Sequence, residues 1–382
     1  MRALKPKPPL RAAKAHQGFT LIELMVALLL GMLSVLVITQ VLLESEGRKR
    51  AVSMGGDAQT NGAISLYTLQ QEIQMAGYGM AASPEALGCD VRAQYGTFSP
   101  FAFTLAPVVI ADGASGAPDS ITVLRSRTAR FSLPMVLSEA HLPTDEHFTV
   151  ASSFGAAAGD MMIAIPKAQN PASTWCTLLK VTDDPSIPAA HLTSTNVPHV
   201  PGNLAKWNQN TLLPAAGYLK DDYLLSMESV IRRTYSISAN NLQLSELSAA
   251  DGSTMPPRDL YPQIVNLQAL YGKGSLDAGG NIHVDAYDNV TPASNAEWRR
   301  VVAIRIALVA RSNQYEKDAV TGAAPKWDVG SAVPVTGPAT STCNGTSTCI
   351  DLKVNHLADW DHYRYKVFDT IVPLRNVLWN SN

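Results

Sequence analysis

The stretch Gly18-Phe19-Thr20-Leu21-Ile22-Glu23-Leu24-Met25-Val26 opens the most informative part of the chain. Before it the sequence is basic and polar, with no acidic residue ahead of Glu23. After it, the twenty residues from Leu24 to Leu43 carry no charge. A helix rises about 1.5 Å per residue, so this run would extend about 30 Å, the thickness of the apolar core of a bilayer. The sequence therefore predicts a transmembrane helix here.

Two ordinary explanations of this segment are incomplete. The apolar region of a secretory signal peptide has about 7 to 15 residues and ends at a small-residue cleavage site. Here the apolar run is longer, and no clear site of that kind follows it. A plain signal anchor fits the length but leaves Glu23 unexplained. A carboxylate costs about 2.5 to 3.5 kcal/mol at the centre of a transmembrane helix and less near its end, so such a residue usually has a partner and a function.

The motif at residues 18–23 resembles the type III leader of type IV pilins and of type II secretion pseudopilins. The resemblance implies that a prepilin peptidase cuts between Gly18 and Phe19 and that the new N-terminus at Phe19 is methylated. Residues 1–18 would then be a cleaved leader, and Glu23 would be the fifth residue of the mature chain. In a filament its carboxylate could pair with the terminal amine of a neighbouring subunit. An unpaired buried charge is costly, so this pairing would fix the register of the subunits.

A helical pattern continues beyond the polar stretch at residues 44–50. Leu66, Leu69, Ile73 and Ala76 recur at spacings of three and four, which is typical of one face of a helix, and glycines at 77 and 79 form a stop signal. We expect one helix over about residues 19–76, with a transmembrane half at 19–43 and an amphipathic, periplasmic half at 44–80. Many major pilins carry a helix-bending proline in the apolar run. This chain has none between residues 19 and 83, and its glycine pairs at 55–56 and 61–62 are the expected weak points.

The remainder, residues 81–382, predicts a β-rich globular head. The 25 Gly and 24 Pro residues suit a loop-rich, β-rich body, and 46% hydrophobic residues can supply a sizeable core. Short apolar runs bounded by turn residues occur at 121–124, 161–165 and 177–181, and residues 302–309 alternate with period two. Residues 188–214 and 320–348 are expected to be long surface loops. The predicted class is α+β: a long N-terminal helix packed on a β-rich head.

The chain contains four cysteines, Cys89, Cys176, Cys343 and Cys349. A sparse, even number in an exported chain favours two disulfides over buried free thiols. Cys343 and Cys349 flank a short flexible loop and are the easiest pair to close, which leaves Cys89 with Cys176. A zinc site would need closer clustering of ligands, and no histidine lies near the C-terminal pair.

Four stretches resemble the PilW family of type IV minor pilins in order and spacing; they lie at residues 69–79, 265–272, 302–312 and 363–376. The resemblance implies a subunit that primes pilus assembly and lies near the filament tip, with roles in twitching motility and adhesion. The implied partners are other minor pilins, the major pilin, the prepilin peptidase and the inner-membrane assembly platform, with a large tip adhesin as a further option. The implied location is the inner membrane with the head in the periplasm, and the pilus after assembly. J-type pseudopilins of type II secretion share the leader and helix but are usually shorter.

Motifs of enzymes are missing from the sequence. It contains no G-x-x-x-x-G-K-[ST], H-E-x-x-H or G-x-S-x-G pattern, so we expect no enzymatic activity, no cofactor and no metal centre. Asp277, Asp285 and Asp288 could hold calcium, but solvated turn acids are the expected reading. The net charge of −2 gives no strong field toward nucleic acid. A strip of arginines at 299, 300, 305 and 311 is only a weak candidate for DNA binding.

Overall fold

The computed structural model describes residues 18, 20–80, 83–127, 133–170, 172–202, 206–248, 250–276, 281–343 and 345–378. The chain divides into two compact units, residues 1–54 and 55–382. The described helices are α1 (Leu21–Met75), α2 (Asn295–Trp298) and α3 (Arg375–Leu378). The α+β fold predicted from the sequence, a long N-terminal helix followed by a β-rich head, is confirmed.

The strands of the head are numbered in chain order. They are β1 (Asp90–Ala93), β2 (Phe101–Thr104), β3 (Val108–Ala111), β4 (Ser120–Ser126), β5 (Met135–Val136), β6 (His147–Thr149), β7 (Met161–Ile165), β8 (Cys176–Lys180), β9 (Asn196–Pro198), β10 (Tyr223–Glu228), β11 (Val230–Ser238), β12 (Asn241–Glu246), β13 (Arg258–Pro262), β14 (Ile264–Leu276), β15 (Ile282–Asp288), β16 (Val301–Arg311), β17 (Lys326–Gly330), β18 (Val335–Thr336), β19 (Thr340–Thr342), β20 (Thr348–Asp351) and β21 (Tyr365–Pro373).

Three larger sheets and two small ones contain these strands. The orders are β2-β1-β8-β7-β10-β5, β13-β12-β11-β4-β3 and β18-β15-β14-β16-β21, with β17-β20-β19 and β6-β9 as the small sheets. Neighbouring strands are antiparallel except for β1 with β8 and β15 with β18. The first sheet is buried on both faces: Ile163 and Leu178 belong to one hydrophobic cluster, whereas Met162 and Leu179 belong to another.

The third sheet is also buried on both faces. Ile304, Ile306 and Leu308 of β16 pack in the cluster that contains Leu69 and Ile73 of α1. Ala307 and Val309 point to the other cluster, which contains Trp327 and Ile350 from the small sheet. The side chains of a strand alternate between its two faces, so the period-two pattern at 302–309 marks two different apolar environments rather than a buried and a solvated face.

Two segments expected to be surface loops contain ordered structure instead. Residues 320–348 carry β17, β18 and β19, and Trp327 is 1% exposed. Residues 188–214 carry β9 and bury His199 and Trp207. Both segments are rich in Pro, Gly, Ser and Thr, which indicate turns but do not exclude strands of two to five residues between them.

Candidate functional site

The N-terminus of α1 is closed by a reciprocal hydrogen-bond pair between Thr20 and Glu23. The amide of Glu23 donates to Thr20 Oγ1 at 3.3 Å, and the amide of Thr20 donates to Glu23 Oε2 at 3.1 Å. Thr20 Oγ1 also donates to the same carboxylate oxygen at 3.1 Å. This is a capping box, which satisfies two amides that a helix N-terminus otherwise leaves without partners, and the acid also complements the positive end of the helix dipole.

The capping box gives Glu23 a local structural role in addition to the one expected from the sequence. All its described hydrogen bonds use Oε2, so Oε1 is left to accept from another group. Gly18 is exposed, and a Cβ added there would meet nothing within 4 Å. Phe19, the predicted site of cleavage and methylation, lies outside the described residues. The pattern T-x-x-E at residues 20–23 is a sequence signature of this cap.

The first half of α1 is apolar on every side. Residues Leu21–Glu46 are long and apolar enough to span a membrane, and none of this segment is buried within the chain. Leu21 and Ile22 are 77% and 73% exposed, and the other large apolar side chains through Leu43 are more than half exposed. A helix that is apolar all round requires an apolar environment on all sides.

The second half of α1 is seated on the head by one face. Ala58, Leu69, Ile73 and Ala76 are buried against strands of the second and third sheets. Gly62 belongs to the same face, and a Cβ there would overlap the ring of Phe368 on β21. The helix continues through Gly62, so this glycine allows close approach rather than a bend.

Polar contacts fix the same face of the helix. Glu72 is 8% exposed, and its Oε1 lies 2.8 Å from Nη1 of Arg233 on β11, which also binds Glu246 on β12. Burial alone would lower the pKa of Arg233, but the hydrogen bond to Glu246 and the charges of Glu72 and Glu246 outweigh it and leave the pKa above its ordinary value. At the C-terminus, Asn376 donates to the carbonyls of Gln74 and Ala76, which satisfies groups that a helix end otherwise leaves without partners.

Over residues 58–78 the opposite face is exposed and uncharged. Ile64, Tyr67 and Met75 are 43%, 61% and 38% exposed, and Tyr78 just beyond the helix is 44% exposed. Between residues 58 and 84 the sequence has one charged residue, Glu72, and that residue is buried and paired. A solvated helix normally presents charged side chains on its outer face. The exposed stripe formed by Ile64, Tyr67, Met75 and Tyr78, called the outer stripe below, is instead typical of a surface that contacts another apolar surface.

Two disulfides brace the head, and they join the pairs expected from the sequence. Cys89 is bonded to Cys176 at the start of β8, with a Cα–Cα distance of 6.0 Å. Cys343 is bonded to Cys349 across the β19–β20 hairpin, with a Cα–Cα distance of 5.5 Å. Asp328 lies beside the second pair, and these three form the one cluster of potential metal ligands found among the described residues. Both sulfurs are engaged in the disulfide, so neither is available as a thiolate ligand.

The weaker candidates from the sequence are not brought together as sites. Asp285 lies 3.5 Å from Arg300 and Asp288 lies 2.8 Å from Lys273, so both acids have cationic partners, while Asp277 lies outside the described residues.

The arginines do not form a strip either. Arg305 is held between the rings of Tyr287 and Trp327 and donates to the carbonyl of Val329, whereas Arg311 is 8% exposed and donates to Gln263. The exposed His283 has no ligand cluster around it among the residues that the structure describes.

Comparisons with known proteins agree with these features. Residues 13–39 match the prokaryotic N-terminal methylation motif, and this match contains the Gly18–Phe19 bond and Glu23. Residues 230–376, from β11 to α3, match type IV pilus-assembly protein W. No curated protein and no solved structure matched the chain. The methylation motif on the apolar helix and the pilus-assembly region in the head together support a type IV pilin of the PilW family.

Proposed function

We propose that this chain is a minor pilin that primes and supports the assembly of the type IV pilus from the inner membrane, with its head in the periplasm. Prepilin peptidase removes residues 1–18, and the new terminus at Phe19 is methylated. The apolar half of α1 stays in the bilayer until the subunit enters the filament, near its tip. The role is structural and requires no enzymatic activity, cofactor or metal.

The observation that carries this proposal is the absence of exposed charge from two segments of α1, which lie on either side of the charged stretch at residues 44–57. Within residues 24–43 the helix is uncharged on all sides, and within residues 58–78 it is uncharged on its outer face. The first segment has the apolar surface that suits a lipid bilayer or a bundle of apolar helices. The outer stripe lies on the half that is seated on the head, so it can contact a neighbouring pilin without separating α1 from the sheets. The partners are accordingly other minor pilins and the major pilin, contacted helix to helix.

Glu23 has two roles, one in capping α1 and one in pairing with a neighbouring subunit. Its Oε2 holds the Thr20 cap, which removal of residues 1–18 leaves in place, and its Oε1 accepts from the methylated ammonium of a neighbouring subunit. A charge-assisted bond in an apolar surrounding is short and directional, and leaving one partner alone there is costly. The pairing therefore sets the register at which this subunit joins the others.

A complementation experiment separates these tasks. In a strain that lacks the protein, surface pili should fall while the pool of the major pilin stays unchanged. Thr20→Ala removes the cap and keeps the acid, whereas Glu23→Gln removes the charge and keeps hydrogen-bonding capacity. We expect Thr20→Ala to restore pili at least in part and Glu23→Gln to fail. Normal piliation in the deletion strain would contradict the proposal, and a loss of type II secretion with intact pili would favour a pseudopilin.

A tip-binding role is a second candidate, favoured by one cavity. A cavity of about 480 Å³ is lined by Ile187, Pro201 and Asp184, within and beside the segment 188–214 that was expected from the sequence to be a surface loop. Replacing that segment should change adherence and leave pilus number unaltered if the head binds a surface. Unchanged adherence would remove this candidate.

A further inference from the structure

Two histidines face each other in the core of the head, far in sequence from the assembly helix. Nε2 of His141 lies 2.7 Å from Nε2 of His199, and the two residues are 2% and 0% exposed, respectively. Both rings pack on Phe148, with centroid distances of 3.9 Å and 4.7 Å. Nδ1 of each ring has no hydrogen-bond partner among the described residues.

The pair joins segments that are distant along the chain. His141 forms an antiparallel bridge with Tyr218, while His199 directly follows β9 and donates its amide to the carbonyl of Glu146. The next residues after His199 turn into the wall of the cavity of about 480 Å³, which Asp183, Asp184 and Ile187 also line. The segment 183–202 is therefore held to the rest of the head at its C-terminal end by the His199 ring and by the pairing of β9 with β6.

The geometry fixes the protonation of the pair. A hydrogen bond between two Nε2 atoms requires one of them to carry the proton and the other to accept it. One ring then has a bare Nδ1 and the other has an Nδ1–H, both buried. A further proton must enter at the bare Nδ1, where it would place a charge in an apolar core without an accepting partner, and a second would put two N–H groups opposite each other. Both outcomes cost free energy.

The surrounding charges do not compensate for this cost. Near His141, the carboxylate of Asp145 raises the pKa of that histidine, whereas His147 lowers it. His147 also lowers the pKa of His199. Tyr218, packed beside His141, is neutral and donates to Thr177; Asp222 lies beyond it. Burial dominates: it lowers the pKa of His141 to about 4 and that of His199 well below its ordinary value.

The closed state of segment 183–202 should lose stability as the pH falls. A group with a depressed pKa in the closed state binds protons more readily when the segment opens, so the closed state has its full stability above the ordinary histidine value of about 6.5. It loses stability as the pH falls from there toward about 4. The 2.8 Å contact of His191 with Asp183 lies wholly within segment 183–202, so it does not hold that segment to the rest of the head.

We propose that the His141–His199 pair is an acid-sensitive clasp, which holds segment 183–202 closed at neutral pH and releases it, opening the adjoining cavity, when the surroundings become acidic. The clasp does not depend on the role of α1 in assembly.

Hydrogen exchange of the full-length chain in detergent micelles tests this directly. Between about pH 7.5 and about pH 5, after correction for intrinsic exchange, protection of peptides covering residues 138–150 and 183–202 should fall by at least about tenfold, while β14 and β16 keep theirs. The variant His141→Gln keeps an amide able to bond His199 and removes one titrating ring, so the pH response should shrink. The matched control His283→Gln, at an exposed histidine, should leave it unchanged.

A measurement on the unmodified protein covers the case in which His141→Gln fails to fold. With ¹³C-labelled histidine, two rings should still be neutral at about pH 5 while segment 183–202 is closed, although a histidine with an ordinary pKa would be protonated at that pH. Titration of every ring near the ordinary value with segment 183–202 still protected would overturn the proposal. So would protection of that segment by added Zn²⁺ at neutral pH, reversed by a chelator, since the pair would then be part of a metal site.

Discussion

The carboxylate of Glu72 lies 2.8 Å from the guanidinium of Arg233, and this contact joins the one charged residue in the sequence between residues 58 and 84 to the second sheet of the head. Glu72 has no alternative partner in solvent because it is 8% exposed. Over residues 58–78 the chain can therefore present an uncharged outer face, while the charge of Glu72 on the buried face is neutralised by Arg233. The contact ties the second half of α1 to the second sheet of the head.

Removing Arg233 should separate these two parts. We expect Arg233→Met to lower the free energy of unfolding of the head by about 3 kcal/mol, because it leaves the Glu72 carboxylate buried without a cation. The double variant Glu72→Gln with Arg233→Met should recover part of this loss. Arg258→Met is the control, since that side chain is 65% exposed and lies 3.7 Å from Glu246; it should cost less than about 1 kcal/mol. Denaturant unfolding measures all four proteins, and equal losses for Arg233 and Arg258 would contradict the assignment.

Two glycines of the same helix should respond in opposite ways to alanine. Gly62→Ala would place its Cβ in the ring of Phe368, and overpacking of this kind costs about 1 to 3 kcal/mol. At Gly56 a Cβ meets nothing within 4 Å, so Gly56→Ala should be neutral or stabilise the helix by up to about 1 kcal/mol. Thermal unfolding distinguishes them. Rescue of Gly62→Ala by Phe368→Leu would assign the loss to this contact, and the absence of any loss would refute it.

A charge in the outer stripe should block assembly without unfolding the head. Tyr67 is 61% exposed, so Tyr67→Glu removes little buried area and should change the unfolding midpoint by little. Burying the new carboxylate against a neighbouring helix would be costly, and surface pili should therefore be lost. The control Phe154→Glu alters a side chain that is 73% exposed elsewhere on the head and should leave piliation intact. Normal pilus counts with Tyr67→Glu would mean that the stripe is not an assembly face.

The two disulfides should differ in their contribution to stability. Cys89 and Cys176 are 87 residues apart, whereas Cys343 and Cys349 are 6 apart. In the loop-entropy model these crosslinks stabilise by about 4.6 and about 2.2 kcal/mol. Replacing Cys89 and Cys176 together with alanine should thus lower the unfolding midpoint more than replacing Cys343 and Cys349. The reverse order would show that loop length does not decide the effect here.

The sequence was most informative where structure is set by neighbours along the chain. The apolar run follows from the absence of charge, the helix stop from the glycines, and the buried positions Leu69, Ile73 and Ala76 from helical periodicity. The structure contains all three features. The capping box of Thr20 and Glu23 is equally local and could have been predicted. The contact of Gly62 with Phe368 could not, because those residues are 306 positions apart and only the packing of β21 on α1 brings them together.

Long-range pairing also explains the remaining errors. Val197, His199 and Trp207 lie in a segment whose Pro and Gly content indicates loops, but its apolar residues are buried against β6 and the first sheet. The pairing of Glu72 with Arg233 depends on the register of β11 with β4 and β12, which single-strand patterns do not define. The scarcity of charge between residues 58 and 84 can be seen in the sequence. Which of these residues form the exposed outer stripe becomes clear only once the opposite face is known to be buried.

Processing at the Gly18–Phe19 bond should give a mature chain whose fifth residue is Glu23. Mass spectrometry of the N-terminal peptide, from protein purified out of its native membrane or pili, tests it most directly. We expect a chain that starts at Phe19 with a methyl group on its amine. A chain that still starts at Met1, or one that starts beyond Leu43 and lacks Glu23, would contradict it.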